Sequence, residues 1–533
     1  MAQLVLIRPP SLLPAVVFSA TPGVPPLGLA YLAGSLKAAN HKVRIIDSFG
    51  EAPDKRTLIG VEDLMITGLD AGDIIAKIPD DVNVIGITCM FSNDWLYVKV
   101  LMRHIREKFP HIPIIVGGEH VTGDPKYALD STPEADIVVL GEGEETLVQL
   151  VSMLDAHISW KDVSGIAFRN KAGQVVVNPL RPRIKNLDVL PWPDWEVVPI
   201  EVYLSRGLGH GSSGGRIMPI LASRGCPFRC AFCTNLVTWQ SKWIVRSPEL
   251  VIEEMTYYIK RYQITHFEFS DLTIVVRKDW IMDFCRLLMS KNLNVAWSLP
   301  SGTRAEALDE LVLSTMFKAG CRFFSYAPES GSRKTLDRIH KQVDPTTMLT
   351  SMRAAVKVGF DVKANIVFGF PGQTLSEVLE SFWYILKMAF IGIHDVPVFP
   401  FTPYPGTELF NQLVKEGKIR PNDPGYGLWL SHNIYNTPDS IRSWSKHIPN
   451  WLMKPLTIGG MGFFYSFQFI FRPWRFIAML SRLVRRQPRT FLDRALQEIL
   501  VNFVLEKRRR VKFIPLMEAS GNRAYFNKPD RKT

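Results

Sequence analysis

Residues 224–233 read RGCPFRCAFC and hold three of the chain's six cysteines, Cys226, Cys230 and Cys233, at a C-x3-C-x2-C spacing. The apolar run MPILAS precedes them, so the cysteines fall in a loop just past a strand end. A structural zinc site wants four ligands, and the nearest outside candidates, His210 and His266, stand at no familiar spacing. A disulfide is disfavoured where sparse cysteines fit a reducing cytosol. Three thiolates can hold a [4Fe–4S] cluster by three corners and leave the fourth iron open. An open metal position is one that a substrate or cofactor can take, so the missing fourth cysteine is the informative absence. Cys89, Cys285 and Cys321 stand singly in apolar segments and read as small buried hydrophobes.

Short apolar strands alternate with helical segments on both sides of this loop. Upstream, LVLIRPP, VRIID, VNVIGITC, IPIIVGGEH and ADIVVLGEGEE are near-continuous Val/Ile runs, the pattern of a parallel sheet covered on both faces. Residues 1–155 therefore read as a doubly wound, Rossmann-like α/β domain, whose ligands bind beyond the C-terminal strand ends. Residues 156–204 read as a hairpin around Lys171-Ala172-Gly173 and a Pro-rich connector. Downstream, HFEFSD, VAWSLPSG, CRFFSYAPESG, VKANIVFGFPG and IHDVPVFPFTPYPG form a second βα series over 205–420, with barrel-like geometry expected. Beyond about residue 420 the alternation stops, and 421–533 reads as mainly helical.

The chain of 533 residues is 47% hydrophobic, ordinary for a globular protein with a large core. Its N-terminus, MAQLVLIRPP, lacks the layout of a signal peptide, and a cytoplasmic location is expected. The net charge of +12 is unevenly placed: from Arg472 onward there are 16 Lys/Arg and 5 Asp/Glu, leaving the first 471 residues nearly neutral. This excludes a general nucleic-acid surface and marks a basic tail.

The cysteine stretch resembles the signature of the radical S-adenosylmethionine superfamily, Phe232 filling the aromatic place before the last cysteine. Over roughly 218–415 other landmarks follow in order. The resemblance places Asp271 near the methionine amino group, and Glu329 and Ser330 in a segment like G-x-E-S. Gly369 falls in a glycine–proline turn near adenine (IVFGFPGQT, 366–374), and TPYPGTEL (402–409) resembles the closing strand and loop. Arg304 matches a recurrent arginine able to pair a carboxylate bidentately. Ala327-Pro328 and Gln373 depart from the family pattern. The resemblance implies a partial (β/α)6 barrel and a cluster whose open iron chelates S-adenosylmethionine. One-electron cleavage would then give a 5′-deoxyadenosyl radical, the electron coming from a donor such as flavodoxin or ferredoxin.

The first domain resembles the cobalamin-binding half of the cobalamin-dependent members. The matching pieces are PPLGLAYLAGSLKAANHKV (25–43), IGITCMFSN (85–93), IVGGEHVTGDP (115–125) and LGEGEETL (140–147). Gly117, Gly118, Gly141, Glu142 and Gly143 are the implied contacts, because small residues let a corrin ring approach the backbone. The plain alternative is an α/β domain whose glycines only make turns. The D-x-H-x-x-G motif is absent, so no lower His ligand to cobalt is expected; His120 falls on the nucleotide-tail side, in a structural or tail-contacting role.

Residues 455–471 run 17 positions without charge, short for a bilayer span, and basic residues follow, including 507–510. They read either as an interfacial helix on an anionic membrane or as a helical cap over the barrel mouth. The resemblance implies methyl transfer to an unactivated carbon of a small molecule: a lipid, an isoprenoid, a tetrapyrrole or a secondary metabolite. A non-methylating radical reaction, such as anaerobic ring formation on a tetrapyrrole, uses the same motifs. From another class stands a non-catalytic cobalamin-binding membrane-surface protein with a structural or sensory cluster.

Overall fold

The computed structural model describes residues 1–14, 23–59, 64–210, 214–420, 426–427, 429–430, 441–485 and 487–497, and the backbone of 512–513. The basic run 507–510 lies outside them. Five apolar runs of the first half form the strands β1 (Gln3–Arg8), β2 (Lys42–Asp47), β3 (Val84–Thr88), β4 (Ile114–Gly117) and β5 (Ile137–Val139). All pair in parallel. The hairpin does not stand apart as a connector: β6 (Ile166–Arg169) and β7 (Val175–Val177) extend the same sheet antiparallel, giving the order β7-β6-β5-β4-β3-β1-β2. Helices α1 (Leu27–Ala38) and α2 (Gly143–Asp155) cover one face, burying Leu29, Ala33, Leu36, Leu147 and Leu150.

The second half builds six parallel strands in sequential order: β8 (Ile217–Ile220), β9 (His266–Phe269), β10 (Ala296–Thr303), β11 (Cys321–Glu329), β12 (Asp361–Phe368) and β13 (Val398–Pro400). The sheet curves without closing, a partial barrel. Along β12 the burial alternates, with Val362, Ala364, Ile366 and Phe368 buried against helices while Asp361, Lys363, Asn365 and Val367 are half-buried on the inner side. The α1/α2 face of the first sheet and the outer shell of the barrel share one continuous apolar core, in which Leu29, Leu147, Trp195, Ala222, Ala231 and Met255 all take part.

Two features were not foreseen. In a small second sheet 64–67 pairs with 11–14 on one side and 56–58 on the other, and 512–513 adds to 56–58, so the C-terminal region is not wholly helical. The charge-free segment 455–471 is part of α4 (Asn450–Phe471), which follows α3 (Leu375–Ile391) and precedes α5 (Pro473–Arg485). Rather than capping the barrel mouth, α4 packs on the barrel flank. Gly460 lies against Val398 of the edge strand, and Phe463 stacks edge-on against Phe382 of α3 at 5.5 Å.

Candidate active site between the two strand rims

The cysteine loop is fixed by its backbone. Gly225 has φ +81°, and a Cβ there would stand 2.1 Å from the Lys242 carbonyl oxygen, so only glycine fits before Cys226. Ala231, inside CAFC, donates to Ile339 O (2.9 Å) and accepts from Leu409 N (3.0 Å). Asn235 closes the loop by donating to the carbonyls of Cys226 (2.9 Å) and Phe228 (3.0 Å). Phe232 packs on Phe370, 5.6 Å between ring centres.

All three thiols are free and at least half-buried. Burial pushes their pKa up, that of Cys233 to about 12, while Lys341 and Arg304 pull those of Cys226 and Cys230 back. Buried neutral thiols ionise when a metal takes the proton's place. Among the described residues no three Cys, His, Asp or Glu side chains converge as ligands of a single ion do. A cube takes each thiolate on a different iron, and three free thiols on one backbone-fixed loop supply that donor set.

Glu329, at the end of β11, sits at φ +63°, a left-handed backbone that a non-glycine residue adopts at a cost of about 1–3 kcal/mol. The ladder to β12 shifts register between Tyr326 and Glu329, and the carboxylate pairs with Lys341 Nζ at 3.2 Å. Lys341 is buried beside Cys230 and was not foreseen; nothing in RIHKQ sets it apart.

Several expected cofactor contacts are engaged within the protein. Asp271 accepts from Ala222 N (3.2 Å), Ser223 N and Ser223 Oγ (2.6 Å), and burial raises its pKa to about 6. Arg304 bonds Glu306 (2.6 Å) and the Gln342 carbonyl and stacks on Phe228, leaving Nη1 buried and unpaired among the described residues. Ser330 Oγ meets Ser381 Oγ at 3.0 Å. Gly369 donates to Gln373 Oε1 (2.8 Å) beneath Met453 of α4. Inside the barrel, Asn365 reaches Ser325 Oγ at 3.4 Å while its buried Oδ1 finds no partner among the described residues.

The rim of the first sheet faces this loop across a cavity of ≈ 310 Å³. Leu6, Gly86, Gly117, Gly118, Gly141 and Gly143 line one side; Leu221, Ser223, Gly225, Trp239 and Leu272 line the other. Gly118 is needed for the chain itself, since its φ is +116° and a Cβ would meet Cys89 O at 2.5 Å. Gly28 differs. It is helical, with nothing within 4 Å of a Cβ, so no part of the protein demands a glycine there. It lies in the first turn of the helix, and the open space beside it suits a large flat ligand. Glu142 and Glu144 join a buried ion cluster: Arg224, one residue before Gly225, bonds Glu144 (2.6 Å) and Glu142 (3.3 Å), and Arg183 bonds Glu142 (2.7 Å). His120 is buried against Trp95 and Ser92 Oγ (2.9 Å), is not a cavity-lining residue, and is held neutral by burial, which lowers its pKa to about 3. Its neighbour Glu119 does line the cavity and accepts from Thr234 Oγ1 at 3.1 Å, next to Cys233. The quoted GGEH held this signal, but the histidine drew the attention.

Two family models match the chain: the B12 binding domain over 14–151 and the radical SAM superfamily over 220–383. An uncharacterised methyltransferase of Pyrococcus horikoshii is 30% identical over 420 residues, 78% of this chain and 83% of that protein. The chain belongs to the cobalamin-dependent radical S-adenosylmethionine methyltransferase family. Its cofactors are cobalamin, a [4Fe–4S] cluster and S-adenosylmethionine. The cytidylyl-2-hydroxyethylphosphonate methyltransferase of Streptomyces wedmorensis is 28% identical, covering 78% of this chain and 82% of that one. An anaerobic magnesium-protoporphyrin IX monomethyl ester cyclase of Rubrivivax gelatinosus is also 28% identical, covering 73% and 66%. Among solved structures, the methyltransferase TsrM of Kitasatospora setae shares the fold at a TM-score of 0.62 and 14% identity, over 90% of this chain and all of that one.

Proposed function

We propose that this enzyme methylates a carbon of an apolar small molecule in the cavity between the two rims. The observation that carries the reading is the shared cavity itself, with Arg224 and Gly225, which lead into the cysteine loop, on one wall and a glycine-rich rim on the other. When bound, the cluster with S-adenosylmethionine supplies one-electron cleavage chemistry, and cobalamin supplies a methyl carrier. Cys226, Cys230 and Cys233 hold the cluster as thiolates, and Lys341 offsets their charge from beside Cys230. The free Nη1 of Arg304 and the free Oδ1 of Asn365 are the polar groups left to orient a ligand on the barrel side. Gly28, Gly117, Gly141 and Gly143 leave room for the corrin, while Leu6, Leu27, Leu32 and Leu272 keep water out. Glu119, its carboxyl pushed up by burial and held by Thr234, places an acidic group at the wall between the rims.

In this reading residues 1–155 form the cobalamin half, 156–204 add a hairpin to its sheet and then lead on as a Pro-rich segment, 205–420 form the barrel and 421–533 the C-terminal region. The electron donor is a small carrier of the flavodoxin or ferredoxin class, in the cytoplasm. The similarity to a cyclase supports a second reading, ring formation without methyl transfer. Anaerobic reconstitution with iron, sulfide, cobalamin and S-adenosylmethionine, followed by product analysis, tests both. Methyl transfer predicts 5′-deoxyadenosine and S-adenosylhomocysteine together. Deoxyadenosine alone favours the cyclase-like reaction, and neither product from a chain loaded with cluster and corrinoid sinks the enzymatic reading.

A further inference from the structure

Helix α5 is inside out. Arg475 turns toward the barrel and donates to the carbonyls of Ile393 and Gly392, each at 2.9 Å. Arg482 bonds the fully buried carboxylate of Asp493 at 2.7 Å. The opposite side carries Trp474, Ile477, Leu480 and Val484, three to four residues apart and therefore on one stripe. Trp474, Ile477 and Val484 are 61%, 68% and 84% exposed. A helix surrounded by water on its outer side shows the reverse polarity.

The apolar surface continues onto the flank. Phe382–Phe463 and Phe390–Phe471 are both 5.5 Å apart and share one sequence offset, so α3 and α4 run parallel and side by side. Their outward residues include Leu379 and Trp383 on α3 and Trp451, Ile458 and Ile470 on α4, all exposed. Residues 450–485 contain five Lys/Arg and no Asp or Glu; Arg472, Arg475 and Arg482 are turned inward, Lys454 is half-buried and Arg485 is exposed at the end of α5, where the basic end of the chain begins. Among the described residues no helix is long and apolar enough to cross a membrane. The inner face of α4 is committed to the barrel through Met453, Phe464 and Gln468.

We propose that the α3–α4–α5 flank docks on the surface of an anionic lipid bilayer. Tryptophans favour the depth at which a membrane meets water, and an apolar stripe beside excess cationic charge is what binds there without spanning. A second protein copy would have to present a complementary acidic face to α4 and α5, which carry no acidic residue; on α3 the exposed Glu380 is balanced by the exposed Lys387. The inference stands independently of which reaction the enzyme catalyses.

The cofactor-loaded full chain is floated with vesicles of phosphatidylcholine alone or mixed with phosphatidylglycerol, and its mass in solution is measured by sedimentation. Flotation with the anionic vesicles at least about tenfold stronger than with the neutral ones, and weakened by salt, is expected. Trp474→Glu with Ile477→Glu, and separately Trp383→Glu, should weaken it while iron and corrinoid per chain stay unchanged. Absence of vesicle binding, or equal binding to neutral vesicles, overturns the proposal. So does a dimer that the same substitutions break apart, which would assign the flank to a second copy.

Discussion

The two rims that face each other across the cavity are built on opposite plans. On the first-sheet side, glycines leave space that no other residue fills. On the barrel side, nearly every polar group is already spent: Asp271 on Ser223, Ser330 on Ser381, Glu329 on Lys341. One rim is shaped by what it leaves out, the other by what holds it rigid. The difference separates residues that admit a ligand from residues that aim the groups gripping one. Substitutions on the two sides should therefore fail in different ways.

The sharpest contrast comes from Cys226→Ala. Turnover and iron content should be lost together, while corrinoid binding and the folded state persist; an active variant would break the assignment. Next in size is Arg224→Gln, which strands Glu144 in a site where both side chains are at most 7% exposed. Removing one partner of a buried ion pair costs about 3–5 kcal/mol, so the denaturation midpoint should fall strongly even before any cofactor is added. Gly28→Leu tests the other plan. A side chain entering the cavity should weaken corrinoid binding roughly 10–100-fold, as overpacking does, with thermal stability of the apo chain unchanged or raised. Equal loss of stability would mean that this glycine serves packing after all.

A last effect lies behind the glycine rim and shows only as a dependence on pH. Asp94 accepts from Leu12 N at 2.9 Å, and burial lifts its pKa from 3.8 to about 7. A carboxyl whose folded pKa is raised favours folding fully below the unfolded value and loses that contribution as pH climbs through the folded one. Between pH 4 and 7 this residue should reduce stability by about 1.4 kcal/mol per pH unit. Asp94→Asn should flatten that slope, measurable by chemical denaturation across the window.

The five Val/Ile strands, the second βα series and the cysteine loop were all legible, because long apolar runs and a fixed cysteine spacing are local signals. The small sheet was not: RTL (56–58) and LMIT (64–67) are too short to show a period, and their pairing depends on chain brought from elsewhere. The hairpin was read correctly, but its attachment to the first sheet is a tertiary fact. At the site, the family resemblance pointed to Asp271 and Arg304 but said nothing of Ser223 or Glu306, which occupy them. Lys341 and the pairing of Arg224 with Glu144 were out of reach for the same reason: the partners lie far apart in sequence, and either residue alone looks like a solvated charge.

Arg183 gives the cleft between the halves a fixed gauge. Its guanidinium holds Glu142 on one side and the carbonyls of Trp239 (2.6 Å) and Lys242 (3.1 Å) on the other. Prising the halves apart would break these charge-assisted hydrogen bonds together. The width of the cleft is thereby tied to one guanidinium, and whatever enters between the halves meets an opening whose span Arg183 sets.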